Sequence, residues 1–403
     1  MSVRVVITDA EERAVLGACR GLAAAGYRVS AVARLRPAAT HWSRACAERV
    51  LLPDPRDGMR TFADGLAELL GEAYYAALIP GSDASLLAIS EHRDLLEPLT
   101  RLGLPAREAV RDSMDKCVLQ GAAAAAGLSM PPSRVCGDAL EATEAAAELG
   151  YPVVLKPTAS FVRSGDRLRQ VPVAVVDGAS ALVDAAPRYA PQFIVQRYEH
   201  ARFLSCTGVM ADGRLLALTT SRVLRLWPAA AGMHTFSETI EVPPGLADRA
   251  RALLASLGWQ GIFQLQMLEP EAGRFAVIDL NPRVFASIAL DAQAGANLAA
   301  VWCDWLRSRS GPPVLARAGL RYRWEEGELC HLAWLLRQRR LRAAVALLLP
   351  HRRVTHAWFR LRDPMPLLAR ALYLARRAIR RGAPSRSRAL RAQPCPQERA
   401  ISG

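Results

Sequence analysis

The sequence predicts an α/β protein that begins with a parallel sheet. Apolar strands alternate with helical segments in its N-terminal part, which is typical of parallel sheets with right-handed crossovers. A length of 403 residues with 51% apolar composition supports two or three hydrophobic cores. The net charge of +14 is concentrated near the C-terminus. We therefore expect an N-terminal domain in residues 1–106, a central domain in 107–306, a basic helical appendage in 307–380 and a disordered tail in 381–403.

The elements follow from apolar periodicity and from the glycines that end helices. In the N-terminal domain we expect strands Val3–Thr8, Tyr27–Ala33, Arg49–Leu52 and Ala76–Ile79, with helices Ala14–Ala25 and Ala84–Leu95. In the central domain we expect helices Lys116–Ala126, Glu141–Leu149, Ala181–Ala186, Ala247–Leu257 and Leu290–Leu306, and a hairpin of Phe203–Met210 with Arg214–Thr220. Helices Leu329–Leu349 and Met365–Ile379 carry apolar stripes with arginine elsewhere.

Composition excludes several classes of protein. The eight cysteines show no metal-binding spacing, so we expect reduced thiols in a cytoplasmic protein. Residues 1–4 lead straight into a predicted strand, and no apolar run approaches the ~20 residues of a membrane span, so neither a signal peptide nor a spanning helix is expected. The basic charge lacks interleaved aromatic residues or a recognition helix, so nucleic-acid binding is not expected.

The central feature of the chain is a predicted hairpin within Phe263–Arg283. Its first strand alternates apolar residues with Gln264 and Gln266, and its second ends in Asp279-Leu280-Asn281-Pro282-Arg283. Strand parity places Asp279, Asn281 and Arg283 on one face. Carboxylate and amide oxygens suit Mg²⁺, and an arginine suits a phosphate or carboxylate. The alternative is that Asp279 and Asn281 satisfy their own turn and Arg283 is solvated.

Only two of the 52 cationic residues are lysines, Lys116 and Lys156. Lys116 opens a predicted helix, and Lys156 follows the strand Tyr151–Leu155. The other cationic residues are arginine, so the two lysines indicate positions that need a compact ammonium group. A contact with nucleotide phosphates would be such a position. Between them and the hairpin lies Gln196-Arg197-Tyr198-Glu199, where a strand exit could offer its backbone to a purine; this signal alone is weak.

In this order and spacing the motifs resemble the ATP-grasp superfamily, in its carboxylate–amine (carboxylate–thiol) ligase branch. The resemblance covers roughly residues 1–305 and implies an α+β ATP-grasp domain behind a Rossmann-like domain. By position it implies that Lys116 and Lys156 bind ATP phosphates, that Gln196, Arg197, Tyr198 and Glu199 hold adenine, and that Asp279 and Asn281 bind Mg²⁺. It further implies a ligase that joins a small carboxylate to a small amine through an acyl phosphate, which Arg283 and Arg225 would stabilise.

Two departures from the family weaken the chemistry that the resemblance implies. Gln266 stands where the family places a further metal-binding carboxylate, and the loop 158–166 has one glycine where the family's loop is glycine-rich. An alternative is therefore a nucleotide-binding module with weakened or lost ligase chemistry. Gln266 can still offer a neutral oxygen to the metal.

Several polar residues have two interpretations. Arg222 and Arg225 could neutralise substrate charge with Glu238 near the metal or an amine, or form surface ion pairs. Asp83 follows a strand end and could contact a ligand, but a helix N-cap is the favoured interpretation. The C-terminal helices could lie on an anionic membrane, or pack their apolar stripes on the core or on a second subunit, which is favoured.

Overall fold

The computed structural model describes residues 2–189, 191–228, 232–309 and 311–381. The predicted disordered tail, 381–403, lies outside the described residues except for Arg381. Within the described ranges, no helix is long and apolar enough to cross a membrane.

The N-terminal domain is a parallel sheet of four strands in the order β3-β2-β1-β4, as the alternation of strands and helices predicts. Its elements are β1 (Arg4–Ile7), α1 (Arg13–Ala24), β2 (Arg28–Ala33), β3 (Cys46–Leu51), α2 (Met59–Glu72), β4 (Leu78–Ile79), α3 (Asp83–Glu91) and α4 (Arg93–Leu96), with a short 3-10 helix at Thr40–Trp42. Helix α2 has no counterpart in the sequence-based prediction. It buries Phe62 and Leu66 against the sheet.

A small antiparallel sheet follows, in the order β5-β10-β6-β9. This part contains α5 (Arg107–Met114), α6 (Lys116–Ala125), β5 (Ser133–Cys136), α7 (Ala139–Leu149), β6 (Val153–Pro157), β7 (Phe161–Ser164), β8 (Arg167–Gln170), β9 (Ala174–Val176), α8 (Ala179–Ala185), a 3-10 helix at Ala186–Arg188 and β10 (Phe193–Arg197). Strands β7 and β8 pair with each other as a separate hairpin. Phe193 and Leu155 are fully buried in the core of this sheet.

The large sheet provides the floor of the central domain. It is formed first by β11 (Arg202–Ala211), β12 (Arg214–Trp227), β13 (Met233–Ile240), β14 (Gly261–Glu271) and β15 (Arg274–Asn281), with α9 (Leu246–Ser256), α10 (Ile288–Gln293) and α11 (Leu298–Leu306) packed on it. The single helix predicted for Leu290–Leu306 is therefore two helices, because the chain takes a positive φ of 100° at Gly295 and Asn297 caps the second helix.

The region 307–380 is not a helical appendage, and this prediction is corrected. It contains β16 (Val314–Leu315), β17 (Arg321–Arg323), α12 (Glu325–Arg337), α13 (Leu341–Leu348), β18 (Val354–His356) and α14 (Met365–Arg381). Its strands join the large sheet, whose order is β15-β14-β11-β12-β13-β17-β18 with β16 beside β12. A three-residue strand carries too little periodicity to be recognised in a sequence. The predicted helix Leu329–Leu349 is broken at Arg339, which has a φ of 56°.

Candidate functional site

The two lysines are buried at the junction of the small sheet and the large sheet. Asp115 caps α6 by accepting from the backbone of Cys117 at 2.7 Å, and this places Lys116 in the first turn of the helix. Lys156 lies on β6, between β10 and β9. Lys116 and Lys156 are 5% and 8% exposed. Such burial of cations requires a charged or polar partner.

The hairpin β14–β15 supplies that partner. Gln266 pairs with Asp279 and Gln264 with Asn281, so these four side chains share one face of the sheet. Lys116 Nζ lies 3.2 Å from Asp279 Oδ1, and Lys156 Nζ donates to the carbonyl of Ile278 at 3.2 Å. The structure therefore brings together both predicted lysines and the predicted metal-binding hairpin.

The electrostatics of Lys156 follow from this packing. Burial lowers the pKa of Lys156 from 10.5 to about 8, Asp279 opposes the shift, and Lys116 adds to it. Two ammonium groups close together in a buried site are held by one carboxylate. Additional negative charge, such as that of phosphate oxygens, would favour the protonated form of Lys156.

Arg283 connects the hairpin to the N-terminal domain. Its Nε and Nη2 donate to the two carboxylate oxygens of Asp83 at 2.8 and 2.9 Å, and Nη2 also donates to Asn281 Oδ1 at 3.0 Å. The N-cap of α3 is Ser82, which accepts from the backbone of Ser85 at 3.2 Å. The favoured interpretation of Asp83 as a cap is therefore corrected, because its carboxylate faces Arg283.

The sequence-based prediction did not include two residues that position Asn281. Asn281 Nδ2 donates to Gln264 Oε1 at 3.1 Å, and Gln264 Nε2 donates to Ser205 Oγ at 2.9 Å. These two hydrogen bonds fix which end of the Asn281 amide is the nitrogen. The amide oxygen of Asn281 is thereby directed toward Arg283. The sequence contained a signal for Gln264, because it is a polar residue that alternates with apolar residues in a buried strand.

The donor set fits Mg²⁺ weakly. Asp279, Asn281 and Gln266 offer hard oxygens on one face, while the part of the chain that the structure describes contains no group of three or more His, Cys, Asp or Glu side chains that could hold a metal. A site with one carboxylate binds Mg²⁺ mainly through nucleotide phosphates. The residues therefore fit a metal that arrives with its nucleotide.

We expect the variant Gln266→Glu to bind Mg·ATP about tenfold more tightly than the parent, because an ionised ligand contributes roughly 1.4 kcal/mol more than a neutral one. Neither variant nor parent should bind Mg²⁺ appreciably without ATP. Calorimetric titrations with and without Mg²⁺ measure both effects. Glu271→Gln, at the exposed end of the same hairpin, is the matched control. Unchanged affinity in Gln266→Glu would place the metal elsewhere.

The predicted adenine hinge lies on the edge of this site, but most of its backbone donors are already used. Gln196 pairs with Ser133 and Val154 on either side, and the backbone N–H groups of Arg197 and Tyr198 donate to Pro132 and Pro152. Among the described residues, the backbone N–H of Glu199 donates to no backbone carbonyl. The adenine hinge at Gln196–Glu199 remains a prediction, in which the N–H of Glu199 is the backbone donor that these bonds leave for adenine.

Arg225 does not join the cluster, and its predicted catalytic role is corrected. The strand predicted for Arg214–Thr220 continues as β12 to Trp227. The guanidinium of Arg225 lies 4.2 Å from the ring centroid of Phe236 and pairs with Glu328 on α12 at 2.5 Å. Phe236 alternates with Ser237 on β13 and so lies on the sheet face opposite Asp279.

Arg222 and Glu238 also lie on that opposite face. They pair with each other at 3.5 Å, and Arg321 pairs with the same carboxylate at 2.9 Å. The surface ion-pair interpretation of Arg222 is therefore the correct one. Glu238 is not near the predicted metal residues.

The loop 158–166, which was compared with a glycine-rich loop, contains β7 and the turn that leads to β8, and the β7–β8 hairpin docks on the N-terminal domain. Asp166 accepts through its carbonyl from the backbone N–H of Met59 at 3.1 Å, and through its carboxylate from that of Arg60 at 3.2 Å. These two donors belong to the first turn of α2, so Asp166 caps a helix of another domain. Leu168 is buried against Met59 and Phe62.

Comparison with known proteins shows distant relatives. No family model matches the chain. The carbamoyl phosphate synthase large chain of Thermus thermophilus is 27% identical over 295 residues, which cover 69% of this chain and 27% of that protein. The chain thus spans about a quarter of the length of the curated relatives it matches.

Two solved structures share the fold. The biotin carboxylase domain of a 2-oxoglutarate carboxylase from Hydrogenobacter thermophilus, with MgADP, ADP and bicarbonate, superposes with a TM-score of 0.60 at 15% identity, covering 78% of this chain and 73% of that chain. An L-amino acid ligase from Bacillus licheniformis superposes with a TM-score of 0.58 at 13% identity, covering 77% and 78%.

Proposed function

We propose that the chain is an ATP-dependent ligase of the ATP-grasp superfamily that joins a small carboxylate to a small amine. The observation that carries the proposal is the convergence of Lys116, Lys156 and Asp279, with the lysine ammonium groups 3.2 Å from Asp279 and from the backbone of its neighbour Ile278. Two cations beside one carboxylate, at the junction of two sheets, provide a site for nucleotide phosphates with a divalent cation.

In this proposal the residues of the chain act by positioning and by neutralising charge. Lys116 and Lys156 bind phosphate oxygens of ATP, and the backbone of Gln196, Arg197, Tyr198 and Glu199 holds adenine. Mg²⁺, when bound by Asp279, Asn281 and Gln266 together with the phosphates, supplies charge neutralisation. The burial of Lys156 excludes water from the phosphate side of the site.

The chemistry would take place in the crevice beside Arg283. A substrate carboxylate oxygen attacks the γ-phosphorus, ADP leaves, and an acyl phosphate forms. The amine nitrogen then attacks the acyl carbon, phosphate leaves, and the nitrogen loses its proton. Asp83, Asn281 and the carbonyl of Val284 hold Arg283 at this position, and the remaining N–H of its Nη1 would donate to the acyl phosphate.

A nucleotide-binding module with weakened or lost ligase chemistry is the second candidate. Two observations favour it, the single carboxylate of the metal site and the docking of the β7–β8 hairpin on α2. ADP release stimulated by pairs drawn from amino acids, short peptides and small acids distinguishes the two candidates. Stimulation that disappears in Asp279→Asn supports the ligase. Tight ATP binding without stimulated ADP release by any pair in the panel would favour the binding module.

We further propose that α12 and α13 contact an anionic membrane surface. Leu341, Val345 and Leu348 are 63%, 60% and 63% exposed and form one face of α13, and the residue that follows the helix, Leu349, is 54% exposed. The sequence from 329 to 362 contains eight arginines and no acidic residue. A second copy of this face would bring arginines against arginines, whereas anionic lipid is complementary in charge.

The full chain should therefore sediment with vesicles that contain phosphatidylglycerol but not with pure phosphatidylcholine vesicles, and high salt should weaken the binding. The double variant Val345→Glu, Leu348→Glu should lose it. Leu140→Glu is the matched control, because Leu140 is also exposed, at 70%, on a helix of the small-sheet part. A concentration-dependent dimer that the double variant abolishes, without lipid binding, would show that the face binds a second copy.

A further inference from the structure

A second cluster of buried polar side chains lies beside the N-terminal end of β13. Arg13, at the start of α1, is 9% exposed, and its Nε has no hydrogen-bond partner among the described residues. The same is true of His234 Nε2, Ser237 Oγ and Trp324 Nε1, whose residues are 7%, 0% and 7% exposed. A buried polar atom without a partner costs about 1–3 kcal/mol. Four such atoms together indicate a place for a polar ligand.

The contacts of Arg13 bring these side chains together. Its guanidinium carbon lies 3.9 Å from the ring centroid of Trp324, and Nη2 contacts the sulfur of Met233, the residue before His234, at 3.7 Å. Ser237 pairs with Tyr322 across β13 and β17. Burial raises the pKa of Tyr322 to about 12, and the charge of Arg13 opposes the rise. Arg13 is therefore a neighbour of Trp324 and His234, and it acts on Tyr322, which pairs with Ser237.

This cluster shares the sheet face of the proposed reaction site. Ser237 and Thr239 are two residues apart on β13, so their side chains share one face of the sheet. Thr239 aligns across the sheet with Ser221, Ser205 and Gln266, on the face of the proposed reaction site. The hydroxyl of Tyr322 donates to the carbonyl of Ala286 at 2.8 Å. Ala286 is three residues from Arg283, so the backbone carbonyl that accepts from Tyr322 lies within roughly 10 Å of the backbone of Arg283. Tyr322 therefore connects the cluster to the proposed reaction site on the same face of the sheet.

The charge of the cluster defines the ligand. Burial, and then the charge of Arg13, lower the pKa of His234 to about 4, so the imidazole is neutral at neutral pH. Arg13 has no carboxylate partner within the described ranges. The cluster thus offers one positive charge with neutral donors around it. A monoanion balances that charge, whereas a phosphate dianion would leave a buried negative charge uncompensated.

We propose that Arg13, His234, Ser237 and Trp324 form a subsite for a non-reacting carboxylate of the substrate. The inference rests on the proposed ligase function and adds a substrate class to it. Either the acid substrate is a dicarboxylate, or the amine substrate is an amino acid that keeps its own carboxylate. In both cases the guanidinium of Arg13 and the indole N–H of Trp324 would donate to the carboxylate oxygens.

The test is calorimetric titration of the full chain with succinate, glutarate, L-alanine and L-glutamate, and with L-alaninamide as the uncharged counterpart. Titrations are made with and without a non-hydrolysable ATP analogue and Mg²⁺. We expect at least one acid to bind, and Arg13→Met to weaken that acid at least tenfold while Arg13→Lys retains part of the affinity. Binding of the dicarboxylates would show that the non-reacting carboxylate belongs to the acid substrate, and binding of the amino acids would show that it belongs to the amine substrate. Arg251→Met, an exposed arginine on α9, should have no effect.

Thermal denaturation checks that Arg13→Met folds. Trp324→Phe tests the subsite without removing the charge, and we expect it to weaken the affinity for the bound acid several-fold. Equal affinity of the parent and Arg13→Met, or binding of none of the acids to the parent, would overturn the subsite. Affinity for the ATP analogue should be the same in the parent and in Arg13→Met. If the analogue fails to bind the parent, the proposed ligase function fails separately, and the titrations without nucleotide still report on the subsite.

Discussion

Replacing Asp279 with asparagine should lower the affinity for Mg·ATP by roughly 100-fold, since a charged partner contributes about 3 kcal/mol. The carboxylate lies on the sheet face that carries Gln266 and Asn281, 3.2 Å from Lys116 Nζ. Its loss acts twice. It removes the charged member of the predicted metal-binding set, and it leaves the two buried lysines without the carboxylate that supports the charge of Lys156.

Calorimetric titration with Mg·ATP measures this loss, and titration with ATP in the presence of a chelator separates the metal contribution from the lysine contribution. Glu271→Gln, which removes an exposed carboxylate from the same hairpin, should bind as the parent does. Thermal denaturation of Asp279→Asn must show a folded protein, because its side chain is partly buried. Parent-like Mg·ATP affinity in a folded Asp279→Asn would mean that the hairpin is not the metal site.

The affinity for Mg·ATP should fall as the pH rises through about 8, because the free protein then loses the proton of Lys156. Binding above that pH restores the proton, so roughly one proton should be taken up per ATP bound at about pH 9. Calorimetry in buffers of different ionisation enthalpy measures the uptake. Lys156→Arg should bind ATP more weakly at neutral pH, because the larger planar guanidinium replaces a buried ammonium, and it should show no proton uptake.

The same pKa shift predicts the pH dependence of stability. The folded pKa of Lys156 is lowered from 10.5 to about 8, so between these values the unfolded chain binds more protons. The free energy of unfolding should therefore rise with pH across this window, and Lys156→Arg should lack this rise. Unchanged ATP affinity in Lys156→Arg, together with proton uptake equal to that of the parent, would remove Lys156 from the phosphate site.

The amino-acid sequence alone determined those features that depend on local pattern. The alternation of strands and helices gave the parallel N-terminal sheet, and period two in Phe263–Met267 gave the hairpin face on which Gln266, Asp279 and Asn281 lie. The scarcity of lysine identified Lys116 and Lys156. In a chain whose other cationic residues are all arginine, a lysine indicates a position where a guanidinium does not replace an ammonium.

Only the tertiary structure decided which distant groups meet. Asp83 and Arg283 are 200 residues apart, and no local pattern relates them. Arg225 has the positive charge that a catalytic residue would need. A register shift in β12 places its side chain over Phe236, on the opposite face of the sheet. Arg13 lies just before the predicted helix Ala14–Ala25, and no sequence pattern distinguishes it from the other arginines. Its burial beside Trp324 and His234 arises because β17 joins the large sheet at the edge that faces α1, and pairing between strands so short leaves no periodic trace in a sequence.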